Sequence, residues 1–274
     1  WLLNVGNGTV DLRNKQLRPH NPADRCTKIT TADYDPEQPR GQWEAFLQTV
    51  LPDKGVREFT QRLVGLGLLG EVREHVLGIL TGTGANGKSV FTRTIHATLG
   101  DYALTSEPDL FMHRDGAHPT GEMDLLGRRW VSVSETEKDR RLAEATMKRL
   151  TGGDRIRARR MRQDFVEFQP SHTAILVTNH LPKVSGDDPA IWRRLRVIPF
   201  EVVIPEHQRD PALSARLEAH TASVLAWAIE GLADYQENGL NDPDAVLAAT
   251  DTYRRSSDAI TRFIDECCLI NPHR

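Results

Sequence analysis

One octapeptide constrains this chain more than any other stretch. Residues 82–89 read Gly-Thr-Gly-Ala-Asn-Gly-Lys-Ser, which is the G-x-x-x-x-G-K-[ST] pattern of a phosphate-binding loop. Glycines let the backbone curl until its N–H groups point at phosphate oxygens. In such a loop Lys88 neutralises the β- and γ-phosphates, and the Ser89 hydroxyl coordinates Mg²⁺. The predicted nucleotide-binding residues are Gly82, Thr83, Gly84, Ala85, Asn86, Gly87, Lys88 and Ser89.

The residues on either side of the loop fit this interpretation. Residues 76–80 form a short apolar run, typical of a buried parallel strand. Residues 90–99 follow with helical apolar spacing, and the positive end of that helix dipole would face the bound anion. The alternative is a glycine-rich surface turn that matches the pattern by chance. The order strand, loop, helix favours a nucleotide site in an α/β fold.

Composition excludes several classes of protein. The chain has 274 residues, 39% of them hydrophobic, and a formal net charge of −3, so any nucleic-acid contact must come from a local basic patch. It contains neither an apolar run of membrane-spanning length nor a signal peptide, which predicts no membrane contact and a cytoplasmic location. Cys26, Cys267 and Cys268 match neither a disulfide framework nor a metal motif. Because the chain begins at Trp1, we expect a fragment of a longer protein.

Polar side chains follow two further strand-like runs. Glu135 comes directly after the apolar residues 130–134, and a carboxylate there can hold Mg²⁺ or polarise the attacking water. Glu137 is the second choice, and a solvated charge is the alternative. Asn179 follows the strand-like residues 174–177 and can sense the γ-phosphate or orient that water. For the neighbouring His180, a structural hydrogen bond is favoured over catalysis.

The most basic stretch of the chain lies between these two runs. Residues 155–168 alternate apolar residues with arginines around a turn-like Arg-Gln-Asp, which predicts a β-hairpin with an arginine-rich tip. Such a tip suits the phosphates of a nucleic-acid strand without reading its sequence. A solvated face and a contact with an acidic protein are the alternatives. The predicted DNA-binding residues are Arg157, Arg159, Arg160 and Arg162.

The other segments carry less chemistry. Asn-Gly between apolar runs predicts a hairpin near the N-terminus. Residues 65–70 match the dinucleotide fingerprint G-x-G-x-x-G, but they close a helical pattern instead of following a strand, so we interpret them as a closely packed helix end. Residues 213–240 predict a helix, Asp242-Pro243 opens another, and Asp258 could cap a last one.

Taken together, the motifs resemble the superfamily 3 helicases, and specifically the helicase portion of phage and plasmid primase-helicases related to the poxvirus primase-helicase. The resemblance covers nearly the whole chain, including Tyr34-Asp35-Pro36. Beyond the loop, it is carried by Leu-Thr-Gly-Gly-Asp at 150–154, Thr-Asn-His-Leu-Pro at 178–182, and Trp-Arg-Arg at 192–194 followed by Pro-Phe at 199–200.

The resemblance implies an ATP- and Mg²⁺-dependent DNA helicase motor. Its fold would be a P-loop AAA+ three-layer core with a central parallel sheet. Such motors form hexameric rings around single-stranded DNA with ATP between subunits, and Arg194, preferred over Arg193, would reach the neighbour's γ-phosphate. The implied catalytic residues are Lys88, Glu135, Asn179 and Arg194, and the implied magnesium ligands are Ser89 and Glu135.

The resemblance also implies a division of the chain and of the longer protein. It predicts a β-rich segment at 1–40, a helical, collar-like segment at 41–72, the ATPase core at 73–204 and C-terminal helices at 205–274. Primase and winged-helix domains would lie in missing parts of the full chain, and the host would be a bacterial or phage-infected cell. One departure concerns Ser134, where many family members carry a first acid, and this puts the role of Glu137 in doubt.

Two other functions are considered beside the helicase motor. An ATP-switched module could assemble or load on DNA without unwinding it, and it would need the same nucleotide site. A small-molecule P-loop kinase would require a substrate lid in place of the arginine-rich hairpin. Unwinding of a forked substrate separates the first two functions, and the third is expected to ignore DNA.

Overall fold

A computed structural model describes residues 1–113, 119–135, 138–184 and 188–257 of the chain. The strands are β1 (Leu2–Val5), β2 (Gly8–Asp11), β3 (Gln16–Arg18), β4 (Leu77–Thr81), β5 (Ala103–Ser106), β6 (Trp130–Glu135), β7 (Ile156–Ala158), β8 (Val166–Phe168), β9 (Thr173–Thr178) and β10 (Leu195–Pro199). The α-helices are α1 (Gly41–Val50), α2 (Lys54–Gly67), α3 (Lys88–Leu99), α4 (Glu144–Thr151), α5 (Pro189–Trp192), α6 (Leu213–Glu218), α7 (Thr221–Asn238) and α8 (Asp244–Ser257).

Five strands form the central sheet, in the order β10-β4-β9-β6-β5. All four neighbouring pairs are parallel. In the register, Thr81 lies opposite Thr178, and Thr178 lies opposite Glu135. The carboxyl ends of β4, β9 and β6 therefore meet at one edge, where open α/β sheets bind their ligands.

Helices cover both faces of this sheet because its strands alternate between two apolar clusters. On β4, Leu77 and Ile79 point into the cluster that contains Met147 of α4 and Tyr253 of α8. Leu80 points into the opposite cluster, which includes buried residues of α1, α2, α3 and α7. Strands buried on both faces read as continuous apolar runs. The predicted three-layer α/β core with a central parallel sheet is confirmed.

The N-terminal hairpin is also confirmed. Strands β1 and β2 are antiparallel and β3 completes a small three-stranded sheet. Residues 65–70 end a helix, as predicted, since α2 stops at Gly67. A Cβ built on Gly65 would lie 2.2 Å from the backbone nitrogen of Leu232 in α7, so the glycine permits close helix packing rather than nucleotide binding.

Two features differ from the sequence-based expectation. The helix predicted over 213–240 is broken between α6 and α7, because His220 adopts φ −116° and ψ 41° outside the helical range. The edge strand β5 was not expected, since it is four residues long and only partly apolar. Glu137 and the helix predicted after Asp258 lie outside the described residues. Among the described helices, none combines the length and apolarity needed to cross a membrane.

Candidate nucleotide-binding and nucleic-acid-binding site

The loop at 82–89 joins β4 directly to α3, as the sequence predicts. Gly87 precedes the helix with φ +86°, a left-handed conformation that favours glycine. Its Cα also lies against α1, since a Cβ added there would meet Val50 Cγ1 at 2.5 Å. Backbone conformation and packing therefore both require glycine at this position.

Lys88 is the buried centre of the loop. Its side chain is only 5% exposed, and burial lowers its pKa from the ordinary value. The ammonium donates to Gly82 O at 2.8 Å, Asn86 Oδ1 at 3.1 Å and Asn179 Oδ1 at 3.1 Å. These three acceptors are neutral oxygens. A cation held this way keeps its charge available for an anion, which fits the chemistry of a nucleotide triphosphate.

A segment after β10 supports the loop from the side. Asn86 Nδ2 donates to Phe200 O at 2.9 Å, and Phe200 N donates to Thr81 O at 2.8 Å. Farther along, Ile204 N donates to Ala85 O at 2.8 Å. Sequence reasoning missed this role of residues 200–204, because main-chain hydrogen bonds leave no signature in the side chains.

The residues predicted at two strand ends lie beside the loop. Glu135 is the last residue of β6 and is in register with Thr178 of β9, and Asn179 follows Thr178 directly. Asn179 is exposed to solvent, yet its Oδ1 reaches Lys88. Ser89 is exposed at the start of α3. The structure therefore brings the loop, Asn179 and the strand end at Glu135 together at one edge of the sheet.

His180 contacts the end of β9 through its main chain, and the structural role favoured for its side chain stays a prediction. Its backbone N–H donates to Thr178 Oγ1 at 3.0 Å, and that hydroxyl donates to His180 O at 2.6 Å. A second histidine, His96, ties α3 to β6 through Ser132 Oγ, 2.8 Å from its Nε2. Burial lowers the pKa of His96 to about 4, so the ring is neutral near pH 7. The ring of His96 therefore links the helix after the loop to the strand that ends at Glu135.

Arg193 and Arg194 lie at the amino ends of the strands, whereas the loop lies at their carboxyl ends. Arg194 precedes β10, and its carbonyl accepts from Leu77 N, the first residue of β4, at 2.7 Å. The five residues of β4 separate this point from the loop by about 16 Å at 3.3 Å per residue. Arg193 is exposed, whereas Nη1 of Arg194 is buried with no hydrogen-bond partner within the part of the chain that the structure describes.

The predicted basic hairpin is confirmed as an element of structure. Strands β7 and β8 pair antiparallel, and Gln163 N donates to Arg160 O at 3.1 Å to close the turn. At its base the side chains are buried in the second apolar cluster, namely those of Ile156, Ala158 and Phe168. The arginines named as DNA-binding residues are all exposed: Arg157, Arg159, Arg160 and Arg162.

Comparison with protein families matches two parts of this chain. Residues 1–52 match the family described as "D5 N terminal like". Residues 80–194, which contain the loop, the hairpin and Arg194, match "Family of unknown function (DUF5906)".

Curated viral proteins match almost the whole chain. A putative helicase of Acanthamoeba polyphaga mimivirus is 27% identical over 97% of this chain, and a putative helicase of Frog virus 3 is 28% identical over 83%. A putative primase of African swine fever virus is 24% identical over 99%. The chain is similar to D5-type viral primase-helicases. This similarity confirms the resemblance inferred from the motifs.

The solved structures that match support the same fold. The apo structure of the NrS-1 C terminal region in its A form superposes with a TM-score of 0.60 over 88% of this chain and 61% of that chain, at 13% identity. A second apo structure of that region gives a TM-score of 0.58. The chain spans 30%, 26% and 31% of the length of the mimivirus, Frog virus 3 and African swine fever virus proteins, which is less than a third of each.

Proposed function

We propose that the chain is the ATP-dependent DNA helicase motor of a D5-type primase-helicase, and that it translocates on single-stranded DNA as a hexameric ring. One observation carries the proposal. The loop, the end of β6 at Glu135 and Asn179 share one edge of the sheet, while Arg194 lies at the other. An arginine so far from its own loop can act on ATP only from a neighbouring subunit, which requires an oligomer with ATP at its interfaces.

The residues at the loop fit ATP and Mg²⁺. Lys88 would hold the β- and γ-phosphates, and the exposed Ser89 hydroxyl together with Glu135 would hold the metal. Mg²⁺ in such sites keeps several waters and takes few protein ligands besides phosphate oxygens. When bound, the metal would neutralise charge on the transferred phosphoryl group.

Asn179 and Glu135 have separate roles in the proposed hydrolysis of ATP. Glu135 orients or polarises the attacking water, and Asn179 detects whether a γ-phosphate is present. The hydrogen bond from Lys88 to Asn179 links that detection to the loop. We retain the proposed ATPase core at 73–204, flanked by the β-rich segment at 1–40, the collar-like segment at 41–72 and the C-terminal helices.

The test of this function is the ATPase rate of the protein with and without single-stranded DNA, at low and at moderate salt. Strong stimulation that fades as salt rises supports a DNA-coupled motor, and unwinding of a forked substrate then completes the assignment. Stimulation without unwinding supports an ATP-switched loading module instead. Hydrolysis that is indifferent to DNA leaves the nucleotide site in place but favours the functions other than a helicase.

Asn179→Asp is expected to weaken ATP binding about tenfold or more while changing ADP binding much less. The new carboxylate would lie about 3 Å from the Lys88 ammonium, raise the pKa of Lys88 and repel the γ-phosphate. Repulsion between the new carboxylate and the γ-phosphate is expected to reduce the free energy of ATP binding by ~1.4 kcal/mol, the equivalent of one pKa unit. Titration with both nucleotides gives the ratio, and Asn14→Asp, at an exposed site near the N-terminus, is the control. Equal weakening of ATP and ADP would place Asn179 away from the γ-phosphate.

Replacing Arg159, Arg160 and Arg162 by Ala should weaken binding to single-stranded DNA and flatten its salt dependence. Each phosphate contact contributes about −0.7 to the slope of log affinity against log salt, so three lost contacts lower the slope by about 2. The matched control removes three exposed, ion-paired arginines elsewhere: Arg13, Arg216 and Arg255. A slope that stays unchanged in the hairpin variant removes the hairpin from the DNA path.

A further inference from the structure

The tip of the basic hairpin exposes apolar side chains as well as arginines. Met161 is 79% exposed, Phe165 47% and Val166 43%. These are three of the nine exposed large hydrophobic residues within the described part of the chain, and they fall within six positions. Contacts with phosphates require only the arginines. The exposed apolar side chains at the tip therefore indicate that its ligand also has an apolar part.

Phe165 is held in place by two of the arginines. The guanidinium carbons of Arg157 and Arg159 each lie 4.8 Å from the centre of its ring. Both distances are within the range of a cation–π interaction, which fixes the ring while leaving nearly half of it open. Arg157 also faces Glu167 at 4.0 Å, across the two strands. The ring is therefore oriented before any ligand arrives.

The hairpin is anchored, so its tip is a defined surface. Ile156 and Ala158 are fully buried in the second apolar cluster. Arg162 closes the turn with φ +61°, a left-handed conformation that costs a non-glycine residue energy. Strained residues of this kind cluster at binding sites.

We propose that Phe165, together with Met161 of the same hairpin tip, is a stacking platform for the bases of single-stranded DNA, so that the tip binds bases as well as phosphates. This deepens the proposed function and rests on it. Base–aromatic stacking is tolerant of sequence, because every base has a π-face. It also favours single strands, because the bases of a duplex are already stacked on one another and present only their edges in the grooves.

Charge decides in favour of this ligand over an apolar protein surface. The exposed apolar atoms are surrounded by Arg157, Arg159, Arg160 and Arg162, with the acids of the hairpin limited to Asp164 and Glu167. A partner must therefore offer flat apolar groups spaced between regular negative charges. A polynucleotide single strand has this pattern along its whole length.

The test compares a thymidine oligonucleotide of about 20 residues with an abasic oligomer that carries the same number of phosphates, by fluorescence anisotropy. The wild-type protein should bind the thymidine oligomer more tightly. Phe165→Ala should lower that affinity about tenfold, since the stacking of a base on the ring is lost, and leave the affinity for the abasic oligomer unchanged. The salt slope should also stay the same, because no charge is removed. Phe165→Trp should retain the preference, and Met161→Ala should reduce it less.

Leu247→Ala is the matched control, since Leu247 is 49% exposed and belongs to α8 and not to the hairpin, and it should change neither affinity. Melting temperatures show that each variant is folded. If Phe165→Ala weakens both oligomers equally, the ring only positions arginines and the proposal is wrong. If it changes the oligomeric state without DNA, the platform is a contact between copies of this chain. A wild-type protein that binds both oligomers equally overturns only this inference, whereas one that binds neither overturns the proposed function.

Discussion

Lys88→Ala is expected to abolish ATP hydrolysis, with a loss of at least about 100-fold. Lys88 is 5% exposed, and its ammonium donates to Gly82 O, Asn86 Oδ1 and Asn179 Oδ1. In the proposed site, this charge would act where phosphate charge develops in the transition state. Steady-state phosphate release at saturating ATP and Mg²⁺ measures the effect.

The affinity of Lys88→Ala for ATP should fall together with its rate of ATP hydrolysis. A ligand that binds only the folded protein raises its melting temperature, so ATP should stabilise the wild type and have little effect on Lys88→Ala. Lys54→Ala is the control, because Lys54 is 80% exposed at the start of α2. Lys88 also donates a hydrogen bond to Gly82 O, so its loss can destabilise the folded protein. The melting temperatures of the wild type and Lys88→Ala without nucleotide must therefore be compared first. Normal turnover in a folded Lys88→Ala protein would contradict the assignment of the nucleotide site.

Arg194→Ala is expected to lower hydrolysis by about 10³- to 10⁵-fold, the range found for arginines that stabilise the transition state of phosphoryl transfer. Binding of ATP to the variant should persist, because Arg194 lies about 16 Å from the loop of its own chain. Nη1 of Arg194 is buried without a hydrogen-bond partner among the described residues, so the guanidinium must turn outward to reach a phosphate of a neighbouring subunit. Arg193→Ala is the matched comparison and should have the smaller effect.

Mixing the two inactive variants tests whether the arginine acts between subunits. Where a Lys88→Ala subunit presents its intact Arg194 to an Arg194→Ala subunit with an intact loop, one complete site forms. The mixture should therefore recover part of the activity that neither protein has alone. Complete failure to complement, with mixed oligomers demonstrated, would favour a role for Arg194 within its own chain. Full activity of Arg194→Ala by itself would remove the residue from catalysis.

Much of the candidate site could be predicted from the sequence because its parts are local. The pattern at 82–89 demands a strand before it and a helix after it, and β4 and α3 are there. The hairpin from β7 to β8 follows from alternating residues around a turn. Residues 65–70 were recognised as a helix end because a nucleotide fingerprint belongs after a strand, and α2 indeed ends at Gly67.

Other features had no local signature. β5 is short and lies at the edge of the sheet, so it lacks the apolar run that identifies a buried strand. The break between α6 and α7 falls inside a continuous helical pattern. The support of the loop by Phe200 and Ile204 rests on backbone hydrogen bonds, which any residue type except proline can donate.

By itself, the sequence determined which chemical groups are present and which local shape each one takes, since glycine conformation, strand alternation and helical periodicity act over a few residues. Only the tertiary structure decided which groups meet. The order β10-β4-β9-β6-β5 places Asn179 3.1 Å from Lys88, although 91 positions separate them, and sends Arg194 to the far edge. Strand order depends on how apolar faces pack across the whole chain, and no short stretch of sequence contains that information.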